Sequence, residues 1–172
     1  MERPVNKAAY SNTGHIVDQA RLTDVRYGCR TSDLNGCGWI AVYNFLRCMG
    51  ARIPQGEIIA EMARHSLFRG LLGTSPLRVL RYLRKSGFPL RSAFGVKRAA
   101  RIAETARSGI LLYRHSGGWH FVAFERADGG RLHFYTAIAG APDHMESMGS
   151  FLKRQNLAKV VWLMYRDAGQ SA

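Results

Sequence analysis

The sequence predicts an α+β domain in which a helical first half packs on a C-terminal antiparallel sheet. Three observations predict it. Residues 36 to 49 form an apolar run of helical length. Three further segments before residue 107 repeat apolar positions at helical spacing. After residue 108 the pattern changes to short β-rich runs broken by glycine. Helices followed by strands, rather than alternating with them, indicate α+β and not a parallel α/β sheet.

Along the chain, the first ~30 residues are polar and mixed, and are expected to form an arm over a single domain spanning 1–172. Gly36 to Met49 reads as a helix closed by Gly50. Trp39, Ile40, Ala41, Val42, Tyr43, Phe45, Leu46, Cys48 and Met49 cover almost its whole circumference, which marks a buried central helix. Helices are expected over Pro54–His65, from Ser75-Pro76 to Lys85 with proline in the first turn, and over Val96–Arg107. "GILLYRH", "WHFVAFER", "RLHFYTAIAG" and "AKVVWLMYR" read as strands.

The second and third of these runs suit a hairpin. A three-residue loop Ala127-Asp128-Gly129 pairs Val122 with Phe134, Phe124 with Leu132 and His120 with Thr136. One side is then apolar except at its far end, where His120 and Thr136 stand together. A one-residue slip destroys this separation.

Composition sets the outer bounds. The 47% hydrophobic and 22% charged content is that of a globular chain. No run approaches the ~20 apolar residues of a membrane span, and the first residues lack a secretory signal pattern, so a cytoplasmic, non-membrane protein is expected. The cysteines Cys29, Cys37 and Cys48 are odd in number and lack zinc-ligand spacing, so reduced thiols, no metal site and no cofactor are expected. The net charge of +13 favours an acidic partner or nucleic acid. Arg78, Arg81, Arg84 and Lys85, and the later "VKRAARIAETAR", read equally as two solvated helix faces, and no nucleic-acid-binding motif accompanies them.

The chemistry concentrates in "NGCGW" and "GWHFVAF". A lone cysteine is commonly a small buried residue. Cys37, however, lies between Gly36 and Gly38 at a helix start, where the helix dipole and a neighbouring imidazolium are expected to lower a thiol pKa. The glycines are expected to leave room for a substrate backbone and to permit a tight turn. Trp119 is a core or cleft-wall candidate beside His120, and Asn44 is expected to satisfy buried backbone. Cys48, about three turns beyond Cys37, lies too far away to share its chemistry.

Across residues 30 to 165, these two motifs in this order resemble the papain-like cysteine peptidases, and most of all the bacterial peptidases that process double-glycine leader peptides. The resemblance implies a papain-like fold with Cys37 as nucleophile, His120 as general base and the orienting position at Thr136, where the family pattern has an acid or amide. A threonine hydroxyl can accept the imidazole hydrogen bond but carries no charge. Asp143 is an alternative acid. Thr31 stands where the family often has an oxyanion-hole glutamine, which leaves Asn35 or Ser32 to join the Cys37 N–H. The resemblance implies hydrolysis of a peptide or amide bond in a peptide or protein substrate. A catalytically silent binding module for an acidic partner or nucleic acid is the alternative.

Overall fold

The computed structural model describes residues 6–64, 73–115, 117–135, 144–155 and 161–167. Strands β1 (Arg26–Tyr27) and β2 (Arg30–Thr31) form a small hairpin ahead of α1 (Ser32–Asn35). Then come α2 (Cys37–Cys48), α3 (Gln55–Arg64) and α4 (Pro76–Lys85). The remaining elements are β3 (Arg91–Phe94), α5 (Val96–Ala103), β4 (Ala106–His115), β5 (Gly118–Arg126), β6 (Leu132–Tyr135), β7 (His144–Glu146), α6 (Met148–Arg154) and β8 (Val161–Asp167). The six later strands form one antiparallel sheet in the order β3-β8-β4-β5-β6-β7.

The α+β class and the helix-then-sheet order are as expected, with one refinement: helices cover both faces of the sheet. On one face α2, α3 and α4 bring Trp39, Phe45, Ile58, Met62, Val79 and Leu83 against Ile110, Phe121 and Ala123. On the other, α5 and α6 bring Ala99, Phe151 and Leu152 against Leu111, Tyr113, Val122, Phe124 and Phe134. That is why β4 and β5 read as near-continuous apolar runs: a strand buried on both sides has no solvent face to alternate with. Burial of α2 along Gly38–Val42 and Asn44–Leu46 agrees with its unbroken apolar sequence.

Two expectations need correction. The helix expected to reach Arg107 ends at Ala103, because Ala106 already pairs with Asp167 in the sheet. The hairpin register is offset by two residues: Phe124 pairs with Phe134 and Ala123 with Tyr135. The loop is longer than three residues, closing through Ala127 N–H to the Arg131 carbonyl, and both Gly129 and Gly130 take positive φ. An offset of two preserves side-chain parity, so the expected separation of faces survives while the direct His120–Thr136 pairing does not follow. Thr136 and Asp143 lie outside the described residues, as do the ends of the runs around β6 and β8.

The N-terminal arm lies along α2. The Asn44 side chain accepts from Ile16 N–H at 2.8 Å and donates to the Ile16 carbonyl at 2.9 Å, which satisfies buried backbone as expected. Tyr43 Oη donates to the Gly14 carbonyl and Arg47 to that of Thr13. The lysine and arginine residues Arg81, Arg84, Lys85, Lys97, Arg98 and Arg101 are exposed, as solvated helix faces should be. Among the described residues no helix is long and apolar enough to cross a membrane.

Candidate functional site

Cys37 is the first residue of α2, and Gly36 joins α1 to it in near-helical conformation, φ −81° and ψ −7°. No tight left-handed turn is present, and the two glycines serve a different purpose from the one expected. A Cβ on Gly36 would stand 2.5 Å from the Ser32 carbonyl oxygen and 2.9 Å from Trp39 Nε1. A Cβ on Gly38 would stand 2.2 Å from Thr74 Oγ1 and 2.3 Å from its Cβ. The room these glycines leave is filled by the chain itself. It lets Trp39 Nε1 donate to Ser32 Oγ at 3.1 Å and brings Thr74 against the helix start, where it bonds Tyr27 Oη at 2.5 Å.

The backbone N–H of Phe121, which follows His120 on β5, and those of Gly38 and Cys37 itself favour the Cys37 thiolate. Burial opposes them and wins, so the thiol is pushed up rather than lowered as expected from the helix terminus. The helix dipole is worth at most about 2 kcal/mol, less than the cost of desolvating an anion.

His120 is buried and pairs across the β4–β5 ladder with Tyr113. Its ring lies edge-on to the Tyr113 ring at 5.8 Å, and Tyr113 is in turn edge-on to Phe151 of α6 at 5.4 Å. Phe121 and Ala123 face α2, so the imidazole belongs to the other face of the sheet. The Tyr113 hydroxyl is pushed up first by burial; the charge of Arg154 works against this, and Cys37 adds to it. Tyr27 is pushed up to about 12, again by burial first, and also feels Cys37.

The remaining candidates separate cleanly. Asn35 Nδ2, two residues before Cys37, is a buried donor with no protein partner among the described residues. Ser32, fully buried, is committed to Trp39. Trp119 is 52% exposed and shares the sheet face of Phe121, so it is a surface wall and not core. Of the other thiols, Cys29 is exposed and Cys48 half-buried at the far end of α2.

No protein-family model and no curated protein matches the chain. Among solved structures it is similar to the peptidase domain of Streptococcus ComA, a bi-functional ABC transporter involved in quorum sensing. The TM-score is 0.57, with 13% identity over 78% of this chain and 93% of that one. It is also similar to a double glycine motif protease from an AMS/PCAT transporter, in complex with the leader peptide. That TM-score is 0.50, with 14% identity over 77% of this chain and 84% of that one. The fold is that of the double-glycine peptidase domains.

In this double-glycine peptidase fold, α2 begins against the start of β5. The two short motifs that carry the sequence resemblance, 83 positions apart from Cys37 to His120, thereby lie on two elements packed against each other. Sequence reasoning missed Tyr113, Tyr27 and Thr74 around the sulfur. The signal that would have found Tyr113 is the β4–β5 register, in which a short turn after His115 sets Tyr113 opposite His120.

Proposed function

We propose that the chain is a cysteine peptidase or related thiol hydrolase, with Cys37 as nucleophile and His120 as general base and acid. The observation that supports this reading is the packing of α2, which opens with Cys37, on β5, which carries His120 near its start. A protein of this fold has been crystallised with a leader peptide, which supports a peptide as the substrate class here. The excess of 25 Lys and Arg over 12 Asp and Glu favours an acidic one.

Burial keeps Cys37 a thiol at rest, so His120 removes its proton as the sulfur attacks the acyl carbon. The carbonyl oxygen becomes an oxyanion, met by the Cys37 N–H and by Asn35 Nδ2, a donor without an acceptor among the described residues. His120 passes its proton to the leaving amine, and water hydrolyses the thioester. Thr136 orients the imidazole in this scheme; its neutral hydroxyl stabilises the imidazolium less than a carboxylate would.

The test is turnover of an acidic peptide library by the purified chain. Cys37→Ala and His120→Ala should each lower kcat/KM by about a thousandfold or more. Hydrolysis that survives Cys37→Ala would refute the proposal. A silent binding module is the second reading, favoured by the elevated Cys37 thiol. Thr136→Asn discriminates: turnover that rises or persists supports the enzyme, and retention of a peptide with no turnover by either form supports the module.

A further inference from the structure

At the opposite end of α2 from Cys37 lies a second group of reactive side chains. His15 comes from the arm, Cys48 from the last turn of α2 and Glu125 from β5, and one ligand atom from each lies within 4.8 Å of the others. His15 Nε2 is 3.7 Å from Cys48 Sγ. Zinc bonds of ~2.3 Å to sulfur and ~2.0 Å to nitrogen at a tetrahedral angle put those two atoms roughly 3.5 Å apart. The pair already has the length of one edge of the coordination tetrahedron.

We propose that His15, Cys48 and Glu125 form a site for a thiophilic divalent cation, zinc by preference, with the fourth position open to water. The donor set of one imidazole, one thiolate and one carboxylate suits zinc and not magnesium or calcium, which prefer oxygen alone. Two of the three ligands, His15 and Glu125, are oriented from behind, as metal ligands commonly are. Thr13 Oγ1 lies 2.9 Å from His15 Nδ1, which leaves Nε2 turned toward the sulfur. The His15 ring is stacked on Tyr135 with centroids 4.1 Å apart, and the Tyr135 hydroxyl donates to a Glu125 carboxylate oxygen.

A divalent cation would bind the thiolate, the carboxylate and a neutral imidazole, and the bound group would carry no net charge. Binding releases one proton, from Cys48, to the buffer. His15 is buried while Cys48 and Glu125 are half-buried, which leaves a way in for the ion. The ion would staple the arm to the helix and the sheet, a structural role independent of hydrolysis at Cys37.

The experiment titrates the reduced, chelator-treated full chain with Co(II), then displaces it with Zn(II). One equivalent should bind, with thiolate-to-cobalt charge-transfer absorption, four-coordinate visible bands and release of about one proton. Cys48→Ser should abolish the charge-transfer band, and His15→Ala and Glu125→Gln should each weaken Zn(II) binding at least about tenfold. A Cys29→Ser/Cys37→Ala double variant should keep the full signal, which separates this site from the proposed nucleophile. As a check independent of the ligand variants' folding, Zn(II) should raise the thermal midpoint of the native chain and leave that of Cys48→Ser unmoved. A native chain without the charge-transfer band, or a band that persists in Cys48→Ser, overturns the proposal.

Discussion

The backbone N–H of Phe121, beside His120 on β5, acts on the Cys37 thiol at the first position of α2 and favours its ionised form. Because burial outweighs the N–H groups that favour the thiolate, Cys37 should alkylate slowly at neutral pH and faster as pH rises. Cys29 is exposed and should react at the rate of an ordinary thiol, so iodoacetamide labelling is followed in a Cys29→Ser background. Cys48 is pushed up too, by burial first, and should likewise label slowly until the pH is raised. Mass-mapped labelling that is fast at neutral pH at either thiol contradicts this expectation.

Gly38 provides a sharper steric test. Its Cβ would overlap Thr74, where the neighbour is the root of a side chain and not its flexible end. Gly38→Ala should cost about 1–3 kcal/mol in urea unfolding, as overpacking does. Thr74→Gly removes all three contacting atoms, so the double variant should be more stable than the sum of the two singles requires. Strict additivity would mean that the helix start moves freely away from Thr74.

How far the sequence spoke depends on the kind of information. The central helix was legible because Trp39, Ile40, Val42, Phe45 and Leu46 leave it no polar face, and that burial is what the chain shows. The face separation of β5 was legible through parity alone, while its register depended on a loop whose length two adjacent glycines, Gly129 and Gly130, concealed. The edge strand β3 gave no signal, since Arg91, Ser92 and Phe94 are exposed and only Ala93 faces a core. Glycine beside Cys37 was read as room for substrate when it is room for Thr74, a neighbour 36 positions away that no local pattern reveals. The grouping of His15, Cys48 and Glu125 was hidden for the same reason: its members belong to three elements, and spacing rules for zinc ligands see only local pairs.

Asn44 should prove the main fastener of the arm. Replacing it with alanine removes both hydrogen bonds to Ile16 and leaves a buried N–H and carbonyl unpaired. At ~1–3 kcal/mol for each stranded group, the cost should be about 3 kcal/mol. Proteolysis should then accelerate selectively ahead of Ile16, because the arm can open while the sheet persists. Uniform acceleration across the chain would indicate that arm and sheet unfold together.

Stability should fall steeply in alkali. Tyr10 and Tyr27 are each pushed up to about 12 from an ordinary 10, burial being the first cause in both, and Cys37 and Cys48 move in the same direction. All four groups hold their protons longer in the folded chain than in the unfolded one. Below pH ~8.5 both states are protonated at these groups, and their contribution to stability is fully present. As pH rises above that point the unfolded chain releases protons first, so it binds fewer, and unfolding becomes progressively easier until the folded groups titrate too. A displacement of about two pH units, as at fully buried Tyr27, corresponds to about 3 kcal/mol. Urea midpoints between pH 8 and 12 should therefore decline continuously, and Tyr27→Phe should flatten the upper part of the curve above pH 10 while lowering stability at pH 8 by the ~1 kcal/mol of its lost bond to Thr74. An unchanged slope in Tyr27→Phe would assign the alkaline loss to the other raised groups, Tyr10, Tyr113 and the two thiols.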